Sequence, residues 1–349
     1  MPSQVFFHPT GTGEDVRATA RAARRVLEAL VENERITLGP RIPLKVHFGE
    51  RGNVTFLRPE TYDGIVDLLQ ERGVESCFME TSALYGGRRF KRELHAETAK
   101  LHGFDRLPVV FADGEHGEDF AEVAIDGRHF SSCKVGRAFQ EHEQIIVLAH
   151  FKGHMLAGFG GAIKQLAMGF ASKGGKLAMH MGRKPKLRNR KCKKCGKCKT
   201  RCAVDALVIG EKKSYIDHAK CVACGACMAI CPSGAITIIT LRGVLKFLGF
   251  GNPFVEKLVE GAFAAQKGKR NLYVNFATSI TRGCDCEPRK MKPVLGDIGV
   301  LASTDPVALD KACWDLAAAR GKTFRGRKTF AYAERIGLGS ADYALHEID

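Results

Sequence analysis

The chain is poor in aromatic residues, which make up 8% of its 349 positions and include a single tryptophan. It has no apolar run near the ~18–20 residues that cross a bilayer, so no membrane-spanning helix is expected. Its opening residues, Met1-Pro2-Ser3-Gln4-Val5, lack the basic and then apolar segments of a secretory leader, and the expected location is cytoplasmic. Thiols stay reduced there, so the 13 cysteines are expected to be free or metal-bound rather than disulfide-paired. A composition that is 45% hydrophobic excludes disorder and collagen-like repeats. Acidic residues are missing where basic ones are dense. Residues 183–201 hold eleven Lys or Arg and no Asp or Glu, within a net charge of +16. That stretch also lacks aromatics, which argues against base stacking on single-stranded nucleic acid. A face that docks an acidic protein accounts for it better, because opposite charge steers transient encounters.

Hydrophobic patterning alternates between strand and helix. Strands are expected at 5–7, 44–48, 74–78, 107–111 and 144–150, and helices at 14–32, 59–72 and 88–102. Pro59 suits a first helical position. A glycine-rich loop, 153–161, leads into an apolar helix at 162–170. After a Pro/Gly junction at 182–186 comes a cysteine-rich segment to about 240, and then the same style resumes. It has a helical stretch over 242–266 broken near 249–253, strands at 272–276 and 298–301, and a helix opened by Asp305-Pro306. The expected fold class is α/β, a mostly parallel sheet with helices on both faces. Residues 1–182 and 241–349 would form it, with 183–240 inserted.

Within the insert, Cys192-x2-Cys195-x2-Cys198-x3-Cys202 recurs 29 residues later as Cys221-x2-Cys224-x2-Cys227-x3-Cys231-Pro232. This is the spacing of bacterial ferredoxins that hold two [4Fe–4S] clusters. Three thiolates at x2 intervals wrap one face of a cubane, and the closing cysteine of each run serves the other cluster. The expected ligand sets are Cys192, Cys195 and Cys198 with Cys231, and Cys221, Cys224 and Cys227 with Cys202. Structural zinc takes four ligands, usually as two pairs, and does not account for eight in this pattern. The insert is therefore expected to be a small α+β dicluster ferredoxin-like domain. Ala203 stands where the first run would have proline, which removes no ligand.

Nearly the whole chain resembles the DUF362 proteins, in the group described as uncharacterised Fe–S centre proteins with a two-cluster insert. The resemblance is carried by Lys45-Val46-His47-Phe48-Gly49-Glu50 with Gly52-Asn53, by Thr81 with Leu84-Tyr85-Gly86-Gly87-Arg88, and by His150-Phe151-Lys152-Gly153-His154. Gly158-Phe159-Gly160-Gly161-Ala162-Ile163-Lys164-Gln165, Cys284-Asp285-Cys286 and residues 297–310 complete it. Gln165 stands where the resemblance implies asparagine. The resemblance implies architecture more firmly than it implies a reaction.

The α/β part carries a second candidate site. Lys152 and His154 follow a strand ending in His150, where open α/β sheets place ligand loops. Gly158, Gly160 and Gly161 would let backbone N–H groups approach an anion at the next helix N-terminus, with Lys164 in its first turn. Lys45, His47 and Glu50 end another strand, with Lys45 and His47 on one face, and would join the same pocket as an acid/base set. The Cys284/Cys286 pair suits a soft metal or a redox thiol. Cys77, Cys133 and Cys313 lie among apolar residues and are expected as buried core thiols. Gly11-Thr12-Gly13 is too short a signal for a nucleotide site, and no flavin motif is present.

The expected function is an iron–sulfur oxidoreductase that passes electrons through two [4Fe–4S] clusters to or from this pocket. Its partner would be an acidic redox protein of ferredoxin or flavodoxin type. The alternatives are a non-enzymatic ferredoxin-like carrier or docking protein and, less favoured, a nucleic-acid-linked Fe–S protein.

Overall fold

The computed structural model describes the chain apart from Glu14, residues 85–86, 182–183, Ala203 and 239–252. The junction at 182–183, the alanine after Cys202, the end of the insert at 240 and the first half of the helical stretch over 242–266 therefore lie outside the described residues.

Segments before and after the cysteine-rich region build one eight-stranded sheet. Before it come β1 (Ser3–Pro9), β2 (Leu44–Lys45), β3 (Phe78–Glu80), β4 (Val109–Phe111) and β5 (Ile146–His150). After it come β6 (Leu272–Ala277), β7 (Gly299–Ser303) and β8 (Tyr343–Glu347). The order across the sheet is β8-β1-β7-β6-β5-β2-β3-β4. Among these strands only β7 runs against its neighbours β1 and β6, and every other pairing is parallel. The two halves of the chain join in mid-sheet, where Leu272 pairs with Ile146 and Phe276 with His150.

Strand alternation sends side chains to two cores. Leu272, Val274 and Phe276 pack under α1 (Val16–Asn33), α2 (Asp63–Glu71) and α3 (Arg92–Leu101). Tyr273 and Ala277 pack against α4 (Ala162–Phe170), α6 (Phe254–Gln266), α7 (Pro306–Ala319) and α8 (Lys328–Arg335). Covering both faces explains why β5 and β6 are buried at every position. The helix starts follow local chemistry. Asp15 accepts the Ala18 N–H at the head of α1, and Asp305 accepts those of Val307 and Ala308 ahead of Pro306 in α7. Among the described residues no helix is long and apolar enough to cross a membrane.

Several expected elements moved. β2 stops at Lys45 rather than at residue 48, and the strand expected at 74–78 is displaced to Phe78–Glu80. The glycine-rich loop is a hairpin, Lys152–His154 against Gly158–Gly160. A second hairpin, Phe120–Ala124 with Ser132–Gly136, has no counterpart in the patterning. Nor does α5 (Lys173–Met181), because Gly174 and Gly175 weaken a helix by about 1 kcal/mol each relative to alanine. Tertiary contact requires them. A Cβ on Gly174 would sit 2.7 Å from the Ala223 carbonyl oxygen, and one on Gly175 would sit 2.4 Å from that of Lys134. Cys313 is buried as expected, whereas Cys77 and Cys133 are only partly buried.

The cysteine-rich region has two small sheets, Lys186–Leu187 with Ile236–Thr237 and Leu207–Val208 with Tyr215–Ile216. Its own core includes Ala206, Leu207, Ile216 and Ile236.

Candidate functional site: a cationic cleft and a doubled cysteine loop

Parallel strands end on one edge of the sheet, and a cleft opens there. His150 ends β5, Glu80 ends β3, and His47 lies two residues past β2. The loop after β6 brings in Thr278 and the segment Cys284–Asp285–Cys286. Three adjoining cavities result. One of about 450 Å³ is lined by His47, Tyr62, His150, Lys152, His154 and Lys164. One of about 620 Å³ shares His47, His154 and Lys164 and adds Arg89, Lys176 and Cys286. A wider mouth is walled by Glu50, Arg89, His154, Cys284 and Cys286.

Asp285 organises the floor. Its Oδ2 accepts from the Lys152 ammonium at 2.6 Å and lies 2.9 Å from His150 Nδ1, while His150 Nε2 lies 2.7 Å from the Thr278 carbonyl oxygen. Burial alone would raise the Asp285 carboxyl, but Lys152 and His150 overcome it and hold the group well below the usual carboxylate range. His150 and Lys152 are thus committed to an internal ion network.

Cys284 is 4% exposed. Lys164 Nζ approaches its sulfur to 3.4 Å, and the Cys286 thiol lies two residues on. The Cys286 hydrogen bond, then Lys164 and Lys152, pull the Cys284 thiol well below its ordinary pKa against the cost of burial. Cys286 moves the opposite way, mainly because it is the donor. Burial would lower Lys164, yet Cys284, Cys286 and Asp285 together outweigh it and raise the lysine. The arrangement favours ionisation at Cys284, beside the Lys164 ammonium, over ionisation at Cys286.

His47 meets donors at both ring nitrogens, the Gly49 N–H at 3.1 Å from Nδ1 and Arg89 at 3.0 Å from Nε2. Burial first, and Arg89 second, push its pKa well below the ordinary value. Arg89 also pairs with Glu50 at 3.2 Å. His154 Nδ1 accepts the N–H groups of Leu156 and Ala157, and burial together with Lys164 lowers its pKa. The neutral ring therefore carries its proton on Nε2.

Two expectations are corrected. Lys45 does not line the cleft: the strand ends with it, its side chain is 0% exposed, and its ammonium pairs with Glu80 at 2.8 Å. Gly158, Gly160 and Gly161 do not offer the α4 N-terminus to an anion. Asp310 of α7 already fills it, accepting the Ala162 N–H at 2.7 Å, the Ile163 N–H at 3.0 Å and the Asn275 amide at 2.7 Å. Gly161 instead makes room for that carboxylate, and Gly158, at φ +89°, abuts the Arg325 carbonyl. Sequence reasoning missed Arg89 and Lys176. The Gly87-Arg88-Arg89 turn was a signal for the first, whereas Lys176 lay in the helix that the two glycines concealed. Asp285 was visible between its cysteines without a role.

The cysteine region shows its 29-residue repeat in the backbone. The left-handed residues are Lys194 and Ala223, Gly196 and Gly225, Asp205 and Gly234, each pair 29 apart. Leu187 pairs with Ile236 in one small sheet, and Leu207 with Ile216 in the other, so the first strand of each half pairs with the second strand of the other half. Backbone N–H groups reach the sulfurs in matched pairs: Lys194 to Cys192 and Ala223 to Cys221, then Ala206 to Cys202 and Ala235 to Cys231. Cys192, Cys195, Cys198 and Cys231 surround a cavity of about 300 Å³. On the other side Cys202 and Cys221 act electrostatically on both Cys224 and Cys227. Among the described residues, no three His, Cys, Asp or Glu side chains converge as ligands of a single metal ion.

The chain belongs to the DUF362 family, whose description is a domain of unknown function and whose model matches residues 42–315. It is similar to the crystal structure of a Thermotoga maritima protein at 13% identity and a TM-score of 0.46, over 88% of this chain and 60% of that one. It is also similar to the lactate racemase apoprotein from Thermoanaerobacterium thermosaccharolyticum at 12% identity and a TM-score of 0.37, over 79% of this chain and 55% of that one. The chain spans less than two thirds of the length of either. No curated protein matches it.

Proposed function

We propose that this DUF362 chain is an iron–sulfur oxidoreductase in which residues 183–240 form an inserted ferredoxin-like domain serving the cleft at the sheet edge. The observation that carries the reading is the doubled cysteine loop, in which backbone turns, strand pairing and N–H···S contacts all repeat at the same 29-residue offset. The donor set fits a cubane. Four soft sulfurs ring a cavity instead of meeting at a point, and main-chain donors already face the sulfurs. Cys231 lines the cavity of Cys192, Cys195 and Cys198, which supports the crossed ligand set proposed for the first cluster. Such clusters, when bound, supply one-electron transfer at low potential.

The chain's own groups favour an anionic substrate. Lys176 lines the cleft without a carboxylate partner among the described residues, its ammonium donating to the Thr81 hydroxyl and the Ser82 carbonyl oxygen. Lys164 keeps Cys284 ionised as a nucleophile or redox thiol, and His154 holds a transferable proton on Nε2. Asp285 fixes His150 and Lys152 so that the wall facing Cys284 does not reorganise.

Anaerobic purification with iron and sulfide analysis tests the first half of this reading. About eight irons per chain are expected, and four or fewer overturn it. The second half is tested by adding small anions that carry a reducible group, such as 2-oxo acids and disulfide carboxylates, to the reduced protein and following reoxidation. A chain that reduces only other proteins would be a carrier.

A further inference from the structure

The two halves of the cysteine region share a backbone but differ in what covers them. In the first half Lys191, Lys193, Lys194, Lys197, Lys199 and Arg201 are all exposed, as is Cys195. The positions 29 residues later are Lys220, Val222, Ala223, Ala226, Met228 and Ile230, and of these only Lys220 is exposed. Gly196 has open space where a Cβ would point, whereas a Cβ on its mate Gly225 would meet the Lys173 side chain at 3.2 Å.

The second half is covered by the α/β body. Gly174 of α5 accommodates the Ala223 carbonyl, Lys134 donates to the Val222 carbonyl, and Ala223 and Met228 pack on Leu84 and Leu177. Leu84 and Lys176 line the cleft. The same elements therefore touch the second cysteine loop on one side and the cleft on the other, while the first loop faces solvent.

We infer that the first loop is the docking face for an acidic one-electron carrier protein and the second is the internal end that serves the cleft. The inference rests on the iron–sulfur reading. Charge supports the occupant. Arg201 is paired with Glu115 and Lys199 lies 3.9 Å from Asp205, but Lys191, Lys193 and Lys197 have no carboxylate partner among the described residues. These cations flank the exposed Cys195 within four residues of chain, so a partner held by them is brought to that loop. Nothing aromatic lies between them for nucleobases to stack on.

The test uses the anaerobically purified protein and, as probe, a purified acidic flavodoxin, with binding measured by calorimetry at about 50 and 300 mM salt. Raising salt should weaken binding at least about tenfold, because screening shortens the reach of the opposing charges. Lys191→Glu with Lys197→Glu should weaken binding at least tenfold at low salt and leave iron content unchanged. The same charge change on α1, Arg17→Glu with Arg21→Glu, should leave binding within twofold. Equal loss in both double variants overturns the docking face, and so does tighter binding of a DNA duplex that displaces the flavodoxin. Iron and sulfide content reads the underlying assignment separately. A chain with clusters but no salt-sensitive binding refutes only the docking face, and a chain without clusters refutes the iron–sulfur reading itself.

Discussion

Lys164 Nζ lies 3.4 Å from Cys284 Sγ, across 120 residues of chain, and both residues line the cleft. A half-buried ammonium beside a buried thiol favours the state in which both are charged, since each offsets the other where water is scarce.

Alkylation of Cys284 by iodoacetamide, read by mass spectrometry of its peptide, should therefore persist to lower pH than alkylation of an ordinary thiol. A lowered pKa means the thiolate is retained as pH falls, so the reactivity midpoint should lie below that of an ordinary thiol. Lys164→Met and Cys286→Ala each remove a stabilising partner and should raise the midpoint, slowing alkylation at pH 6.5 about tenfold. An unchanged midpoint in both variants would contradict the pairing.

Asp310 ties α7 to the first turn of α4. Asp310→Ala strands the Ala162 and Ile163 N–H groups and the Asn275 amide in a dry interior. A loss of about 3 kcal/mol or more in urea denaturation is expected, combining a lost cap with unsatisfied donors. A loss under about 1 kcal/mol would show that the cap is replaceable.

Gly174→Ala reverses the usual sign. In an open helix the change gains about 1 kcal/mol. Here the new Cβ would lie 2.7 Å from the Ala223 carbonyl oxygen, so the second cysteine loop must move away from α5. Limited proteolysis between residues 220 and 232 should speed up, and retained iron should fall. Protection equal to the wild type would mean that α5 and the loop do not touch.

Lys45→Met isolates Glu80 in the interior and should cost about 3–5 kcal/mol, while Lys45→Met with Glu80→Leu should restore most of it. Lys45 does not reach the cavities, but Glu80 lines one of them, so any change in ligand binding by the double variant is expected to match that of Glu80→Leu alone. Weaker binding in the double variant than in Glu80→Leu would return Lys45 to the site.

Asp285 sets a pH limit. Its folded pKa lies below the unfolded value near 4, so its contribution is present above that value and is lost as pH falls through the folded one. Acid unfolding followed by circular dichroism should lose less stability between pH 5 and pH 3 in Asp285→Asn than in the wild type. Parallel curves would place the acid sensitivity elsewhere.

What the amino-acid order determines by itself is whatever depends on near neighbours. The apolar helix at Ala162–Phe170, the Asp305-Pro306 start of α7 and the alternating strands are set by periodicity and capping chemistry within a few residues. The cysteine repeat is equally local, since each loop carries its own turn residues, and it was legible as spacing before any fold was known. The cleft was legible in part: His47, His154, Lys164 and the Cys284/Cys286 pair do meet there. Tertiary structure alone decided that Lys45 is sealed under the cleft and that Asp310 takes the helix terminus the glycines would have offered to a ligand. It also recruited Arg89 and Lys176 and turned two helix-weakening glycines into a seat for the second cysteine loop. Each of these depends on a contact between residues distant in sequence, where burial and charge pairing outweigh what any segment would do alone.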